Sequence, residues 1–141
     1  NLGTILRIAD WFGIDAVFAA KDTVDVFNPK VVQATMGAVF RVHMHYLGLS
    51  SLSEIIISMG GKIYGTFLDG RNMYSRPLDT GDDKPVMIVI GNESEGISEA
   101  MAAMVSDRLY IPPYPADRCG SESLNVAIAT SIVCSEFRRR G

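Results

Sequence analysis

The sequence predicts an α/β domain with a mostly parallel sheet and helices on both faces of the sheet. Short apolar runs alternate along the chain with segments of helical periodicity, which is the pattern of parallel strands joined by crossover helices. The 141 residues fit one domain, 1–141, and are long enough to bury a core. Hydrophobic residues make up 48% and charged residues 21%, which is typical of a globular rather than a disordered chain.

The first half of the chain predicts two helices and two strands. The first helix begins at a cap, Asn1, and ends at Gly13, because apolar residues recur between them at helical spacing. Trp11 and Phe12, near its end, are expected to pack in the core. A buried strand is expected over 15–20. The remaining two elements are a short helix that starts at Asn28-Pro29 and ends at Thr35, and a half-exposed strand over 40–46.

The second half of the chain continues the alternation of helices and strands. Val86 to Ile90 is a continuous apolar run of the kind found in central parallel strands. The polar, turn-rich stretch 71–84 predicts a surface loop. The other expected elements, in chain order, are a helix over 51–59, a strand over 62–68, a helix from Ser98 to Val105, a strand over 108–111 and a final helix over 123–140.

The final helix is apolar over more than one face, so it must be covered on two sides. A homodimer interface is one way to cover it. The helix ends in Arg138-Arg139-Arg140, which is either a solvated helix end that complements the helix dipole or a contact for phosphate. The formal net charge of −3 argues against RNA binding by this chain alone.

The cysteines and histidines do not suggest a metal site. Cys119 and Cys134 have no metal-ligand spacing around them, and a reduced intracellular setting is expected rather than a disulfide. His43 and His45 share one face of the strand predicted over 40–46, but no third ligand is evident, so no metal is expected there. No apolar run has the roughly 18–20 residues needed to span a bilayer, and no signal-peptide pattern is present.

Residues 91–98, Gly-Asn-Glu-Ser-Glu-Gly-Ile-Ser, follow a buried strand and come close to a phosphate-binding P-loop. Ile97 replaces the lysine, however, and two carboxylates stand where phosphate oxygens would lie, so nucleotide binding is disfavoured. The loop suits a neutral or cationic ligand at the carboxyl end of a parallel strand. The alternative is a tight turn that needs its glycines and uses Ser98 to cap a helix.

Two further groups of residues allow a structural and a functional interpretation. Ser123 and Asn125 at the start of the last helix are either helix caps or hydrogen-bonding groups for a substrate. Arg7, amid the apolar residues of the first helix, either packs its stem along apolar surface with its charge in water, or pairs with a carboxylate, or acts in catalysis.

Three segments of the chain place small polar residues and glycines at the edge of an apolar element. They are 1–9, Asn-Leu-Gly-Thr-Ile-Leu-Arg-Ile-Ala; 90–96, Ile-Gly-Asn-Glu-Ser-Glu-Gly; and Ile111-Pro112 joined to 123–126, Ser-Leu-Asn-Val. In this order they resemble the three motifs of the SpoU/TrmH family of SPOUT RNA methyltransferases. The resemblance implies transfer of a methyl group from S-adenosylmethionine (AdoMet) to a ribose 2′-oxygen of ribosomal or transfer RNA. It also implies a cytoplasmic homodimer and a deep trefoil knot in the C-terminal part, an exception to the usual rules of chain connection.

The resemblance also assigns candidate residues. The implied catalytic and substrate-orienting set is Arg7, Asn1, Glu93, Ser123 and Asn125. The implied cofactor-binding set is Gly91, Ile111, Leu124, Thr66, Leu68, Gly70 and Asn92. An alternative is a catalytically inactive AdoMet- or RNA-binding module of the same fold.

The chain differs from the family pattern at two places. The loop over 112–122 is longer than is common and is expected to lie over the pocket. The family normally has a strand before the first motif and often an N-terminal RNA-binding domain as well. Both are expected to be missing here, and their absence would explain the acidic net charge.

Overall fold

The computed structural model describes residues 1–92, 94–118 and 123–141. Within these ranges helices and strands alternate as predicted. The helices are α1 (Leu2–Trp11), α2 (Pro29–Thr35), α3 (Leu49–Ser58), α4 (Glu99–Ala102) and α5 (Val126–Arg140), with 3-10 turns at Ala38–Phe40 and Met73–Ser75. The strands are β1 (Val17–Ala19), β2 (Met44–Tyr46), β3 (Lys62–Asn72), β4 (Val86–Val89) and β5 (Asp107–Tyr110).

All pairs of named strands are parallel, which confirms the predicted α/β class. β3 lies between β4 and β5 in a three-stranded sheet, and β1 pairs with β2 in a second, two-stranded sheet. The three strand ends that carry the predicted cofactor residues, those of β3, β4 and β5, therefore lie at one edge of one sheet.

Helices cover both faces of the larger sheet, as the sequence predicts. Tyr64 on β3 is 1% exposed and packs with Val133 and Phe137 of α5. Its neighbour Ile63, which must point to the opposite face, packs with Met101 of α4. Partly buried residues of α3, including Leu49 and Ile56, join this second cluster.

The first and last helices pack side by side and run parallel. At their N-termini, Asn125 Nδ2 donates to Asn1 Oδ1 at 3.4 Å. At their C-termini, the guanidinium of Arg138 donates to the carbonyl oxygens of Phe12 and Gly13, both at 2.6 Å. Since the last carbonyls of a helix have no partner within it, Arg138 caps α1 from outside.

The arginines at the end of α5 are used inside the fold. Arg140 donates to the carbonyls of Met73 and Tyr74, both at 3.0 Å, and to that of Arg76. Glu136, which is 6% exposed, accepts from Arg139 at 2.7 Å and from Arg140 at 2.8 Å. These contacts favour a structural role for the arginine run over phosphate binding.

The prediction of a strand over 40–46 is mostly wrong, because only Met44–Tyr46 forms a strand. Met36 and Gly37 take left-handed backbone conformations (φ 50° and 88°), which end α2 and direct the chain into a 3-10 turn that includes Phe40. Pairing with β1 begins at Met44. Trp11 is also misplaced by the sequence prediction, because it is 84% exposed rather than in the core.

The prediction of β4 as a central strand is wrong for the described part of the chain, where β4 pairs with β3 alone. Its continuous apolar run has another cause, since Ile88 packs against the Tyr64 cluster and Met87 against the Ile63 cluster. Both faces of an edge strand are covered here.

Other boundaries also differ from those predicted, including the following three. The 71–84 loop begins as strand, because Arg71 and Asn72 still pair with β5, and Met73 after them is 0% exposed. The helix after Ser98 ends at Ala102 rather than Val105. The last helix starts at Val126 rather than Ser123, because Asn125 caps it.

We expect Glu136→Gln to lower the free energy of unfolding at neutral pH by about 1–3 kcal/mol, because the carboxylate accepts charged hydrogen bonds. Hydrogen bonds from Arg139 and Arg140 lower the pKa of Glu136 from 4.5 to about 2. A depressed pKa stabilises the fold above pH 4.5, and this contribution is lost as the pH falls toward about 2. The difference between wild type and variant should therefore shrink over that interval.

The measurement is urea unfolding at neutral pH and at about pH 3. Glu54→Gln, on the exposed surface of α3, is the control and should change little at either pH. A Glu136→Gln deficit of the same size at both pH values would contradict the assignment.

Candidate functional site

The carboxyl ends of three neighbouring strands bring together most of the predicted cofactor residues. Gly65 on β3 is paired with Val89, the last residue of β4, and Thr66 is paired with Leu109 of β5. Gly91 lies two residues beyond the end of β4, and Ile111 directly follows β5. Open α/β sheets bind ligands at this edge.

The central strand β3 is interrupted at this edge by a four-residue bulge, 67–70. Leu109 is paired both with Thr66 and with Arg71, so the residues between them leave the ladder. Leu68 in the bulge is 64% exposed. The predicted cofactor residues Thr66, Leu68 and Gly70 therefore belong to a segment that projects from the strand-end edge.

The loop after β4 is a tight turn that needs its glycines. A Cβ atom at Gly91 would lie 2.3 Å from the carbonyl carbon of Gly96, and Gly96 itself has φ +69°. Asn92 Oδ1 accepts from the backbone N–H groups of Ser94 at 3.1 Å and Glu95 at 2.6 Å. The side-chain oxygen of Asn92 thus holds the loop, and Glu93 lies outside the described residues.

Ser98 caps the short helix α4, since its Oγ accepts from Met101 N at 3.3 Å. The structural interpretation of this segment is confirmed, and it does not conflict with ligand binding. A backbone held rigid by glycines and caps presents its N–H and C=O groups at fixed positions.

Asn125 acts as the N-cap of α5. Its Oδ1 accepts from Ala127 N at 2.9 Å and Ile128 N at 3.3 Å, while its amide donates to Asn1. Ser123 and Leu124 precede the helix, and Leu124 is 49% exposed. The first and third sequence motifs thus meet where the N-termini of α1 and α5 converge.

Arg7 lies away from this meeting point. It is exposed on α1, about 9 Å along the helix axis from Asn1. Its side chain lines a shallow groove of about 240 Å³ with Thr4, Ile8, Trp11 and Phe12. No carboxylate in the described part of the chain pairs with it, so the ion-pair interpretation of Arg7 finds no support. The structure brings Asn1 and Asn125 together but not Arg7 with them.

Sequence reasoning missed Arg108 at the strand-end edge and gave no role to Phe67 or Asp69 within the 66–70 stretch. The guanidinium of Arg108 on β5 lies 3.5 Å above the ring centroid of Phe67. It also donates to Asp69 Oδ1 at 2.6 Å, and this hydrogen bond holds the pKa of Asp69 below its ordinary value. The strand register, which the sequence does not state, places Arg108 opposite Gly65 and so beside the bulge.

The remaining groups supply no metal site and no membrane span within the described ranges. His45 stacks on Phe18, with ring centroids 5.4 Å apart. No three His, Cys, Asp or Glu side chains of the described residues are grouped so as to hold a metal ion. None of the described helices combines the length and apolarity required to cross a bilayer. Cys134 is buried, and Cys119 lies outside the described residues.

Residues 1–135 match the model of the SpoU rRNA Methylase family. The chain is 33% identical over 138 residues to the 23S rRNA (guanosine(2553)-2′-O)-methyltransferase RlmP of Bacillus subtilis, covering 98% of this chain and 53% of that protein. It is 30% identical over 190 residues to human mitochondrial rRNA methyltransferase 3, covering 99% of this chain and 44% of that protein.

Solved structures share the fold. A TrmH-family protein of Porphyromonas gingivalis superposes with a TM-score of 0.87 at 46% identity, covering 99% of this chain and 54% of its own. An AdoMet-bound rRNA methyltransferase of Sinorhizobium meliloti superposes with a TM-score of 0.85 at 33% identity. The match covers 99% of this chain and 51% of that one. The chain spans about half the length of these relatives.

We expect Asn125→Ala to lower the free energy of unfolding by about 0.5–2 kcal/mol, because two N–H groups of α5 lose their cap. Asn125→Asp should keep most of the stability, since a carboxylate still accepts those bonds and favours the helix N-terminus. The aspartate cannot donate to Asn1. Chemical denaturation of the two variants measures the cap. Equal losses for alanine and aspartate would show that capping is not how Asn125 stabilises the fold.

Proposed function

We propose, because this chain belongs to the SpoU rRNA Methylase family, that it binds AdoMet and methylates a ribose 2′-oxygen of ribosomal or transfer RNA. The observation that carries the proposal is that parts of the family motifs meet in space at two places. The loop after β4 and the end of β5 lie at one sheet edge, and the first and third motifs meet through Asn1 and Asn125.

The residues at the strand-end edge fit AdoMet better than a nucleotide. The described part of the loop carries Glu95 and no lysine, a charge that repels phosphate and tolerates a sulfonium cation. Ile97, which replaces the P-loop lysine, packs against the cluster that contains the buried Ile63. Gly91, Ile111 and Leu124 are proposed to cradle the cofactor through backbone groups and apolar contact, with Asn92 and the Thr66–Gly70 segment beside them.

AdoMet, when bound, supplies an electrophilic methyl group. The chain must then orient a ribose hydroxyl and stabilise negative charge on its oxygen as the proton leaves. Arg7 suits this task because a guanidinium donates several hydrogen bonds in a fixed plane, whereas it gives up a proton too reluctantly to be a good base. Asn1, Glu93, Ser123 and Asn125 are proposed to orient the substrate.

A homodimer completes the proposed site. Arg7 lies in a groove of its own on α1, apart from the strand-end edge, beside a tryptophan that is 84% exposed. Phe12 lines this groove and also a second one, of about 440 Å³, formed with Tyr74 and residues of α5. A partner packed on this continuous surface of α1 and α5 would cover Trp11 and bring one subunit's Arg7 to the other's motifs.

Two structural features expected from the resemblance are also part of the proposal. A parallel strand before α1 would find unpaired edges on β1 and β4, which pair on one side only within the described ranges. The trefoil knot finds support in the contact of Arg140 on α5 with the carbonyls of residues 73–76, which brings the last helix against the loop that follows β3. The proposed compartment is the cytoplasm, which suits the buried thiol of Cys134, whose pKa burial raises.

Calorimetric titration with AdoMet, with ATP and GTP as controls, tests the cofactor assignment. We expect saturable binding of AdoMet at about one per subunit and no response to either nucleotide. A protein that binds AdoMet but transfers no methyl group to any ribosomal or transfer RNA would be a binding module of the same fold. A titration that shows no binding of AdoMet would contradict the proposal.

We expect Arg7→Ala to reduce methyl transfer by about 10²–10³-fold, the usual loss for one preorganised donor, with AdoMet affinity nearly unchanged. Arg7→Lys should recover little, because an ammonium does not reproduce the planar fork. Arg41→Ala, which removes another exposed arginine of the chain, is the control for charge and should retain activity. The measurement is transfer of labelled methyl from AdoMet to RNA, and a fully active Arg7→Ala protein would remove Arg7 from the mechanism.

We expect Trp11→Glu to produce folded monomers and to abolish methyl transfer, because the side chain is already exposed in one subunit and its replacement disturbs no core contact. Analytical ultracentrifugation measures the association state. Met59→Glu, at a 58% exposed position after α3, is the matched control and should remain dimeric. A Trp11→Glu protein that is still a dimer would exclude this surface as the interface.

A further inference from the structure

The side chain of Arg108 joins two of the three elements at the strand-end edge. It starts on β5, passes over the ring of Phe67 at 3.5 Å and reaches Asp69 Oδ1 at 2.6 Å. Phe67 and Asp69 both belong to the bulge 67–70. One side chain therefore ties the end of β5 to the segment that interrupts β3.

The absence of a side chain at Gly65 makes this contact possible. Gly65 is paired with Arg108 across the sheet, and Phe67 is on the same side of β3 by alternation. A Cβ atom at Gly65 would lie 2.9 Å from Phe67 Cε2 and 3.1 Å from Ile97 Cδ1. The phenyl ring therefore folds back over the glycine beside Ile97, and Arg108 lies on the ring.

The other end of the bulge is fixed by backbone contact. A Cβ atom at Gly70 would lie 2.5 Å from the carbonyl oxygen of Leu109, the residue that follows Arg108. The bulge is thus fastened to β5 at its start by a side chain and at its end by close backbone packing. Between these two points Leu68 is 64% exposed and has no ladder partner.

We propose that Arg108 is a positioning residue for AdoMet, because it holds the bulge 67–70 in the shape that contacts the cofactor. This inference rests on the proposed cofactor site. A segment without ladder hydrogen bonds must lose conformational entropy on binding unless another contact has already ordered it. Arg108 supplies that order before the cofactor arrives.

Stacking on Phe67 contributes more to this order than the ion pair with Asp69. The Arg108 and Asp69 side chains are 41% and 74% exposed, and exposed ion pairs contribute little. A planar guanidinium 3.5 Å above a ring centroid is a close cation–π contact, which lysine cannot reproduce with the same plane-to-plane geometry. Substitutions that remove the guanidinium should therefore have a larger effect than one that removes only the ion pair.

The test compares AdoMet affinity, methyl-transfer kinetics and hydrogen exchange of the 66–72 segment in wild type and variants. Arg108→Met should weaken AdoMet binding by about 5- to 20-fold and speed exchange in that segment. The kcat at saturating AdoMet should stay within about twofold of wild type, because Arg108 does not touch the reacting atoms. Arg108→Lys should resemble the methionine variant, and Asp69→Asn should cost about twofold or less.

Arg41→Met is the matched control, because Arg41 forms a comparable exposed ion pair with Asp10 away from the strand-end edge. It should leave both AdoMet affinity and exchange of the 66–72 segment unchanged. Wild-type affinity or unchanged exchange in Arg108→Met would overturn the inference while leaving the proposed function intact. A wild-type protein that does not bind AdoMet would overturn the proposed function, and the cofactor role of Arg108 with it.

Discussion

The register of β3 between its two neighbours determines most of what this domain can do. Leu109 faces both Thr66 and Arg71, so β3 must leave the sheet where β4 and β5 end. The sheet edge therefore carries three irregular segments in place of regular strand ends: the bulge, the loop around Gly91 and the segment after Ile111. Small residues permit the arrangement, since Gly65, Gly70 and Gly91 each lie where a Cβ atom would clash.

A second group of contacts connects that edge to the rest of the chain. α5 covers the Tyr64 face of the sheet and also packs along α1, so the helix that starts beside the third motif also positions the first. At the end of α5, Arg138 holds α1 by hydrogen bonds to the carbonyls of Phe12 and Gly13. Arg140 holds the 73–76 segment by hydrogen bonds to its carbonyls. Arg7 and Trp11 lie on the outward face of the α1–α5 pair, away from the strand ends.

The fold was largely predictable from the sequence, because helix caps and periodicity are local properties. Asn28-Pro29 starts α2 as expected, and Val86 to Val89 is a strand. The failures have non-local causes: the apolar run of β4 reflects the coverage of both of its faces, and Trp11 is apolar yet exposed. At the candidate site the glycine positions were evident, whereas Arg108 depends on cross-strand register. The distance of Arg7 from the strand ends depends on how α1 packs.

The parallel pairing of the first and last helices has a consequence for synthesis on the ribosome. The contacts that fasten α1 join residues 124 to 126 positions apart, Asn1 to Asn125 and Arg138 to Phe12 and Gly13. Such contacts close loops that span most of the chain and raise the contact order, which slows folding. The newly made α1 has no α5 to pack against until almost all of the domain has emerged. The side of α1 that packs on α5 is exposed during that interval, whereas α2, which follows soon after α1 in the chain, can already pack on the other side. Exposed apolar surface is what makes a nascent chain prone to aggregate or to need a chaperone.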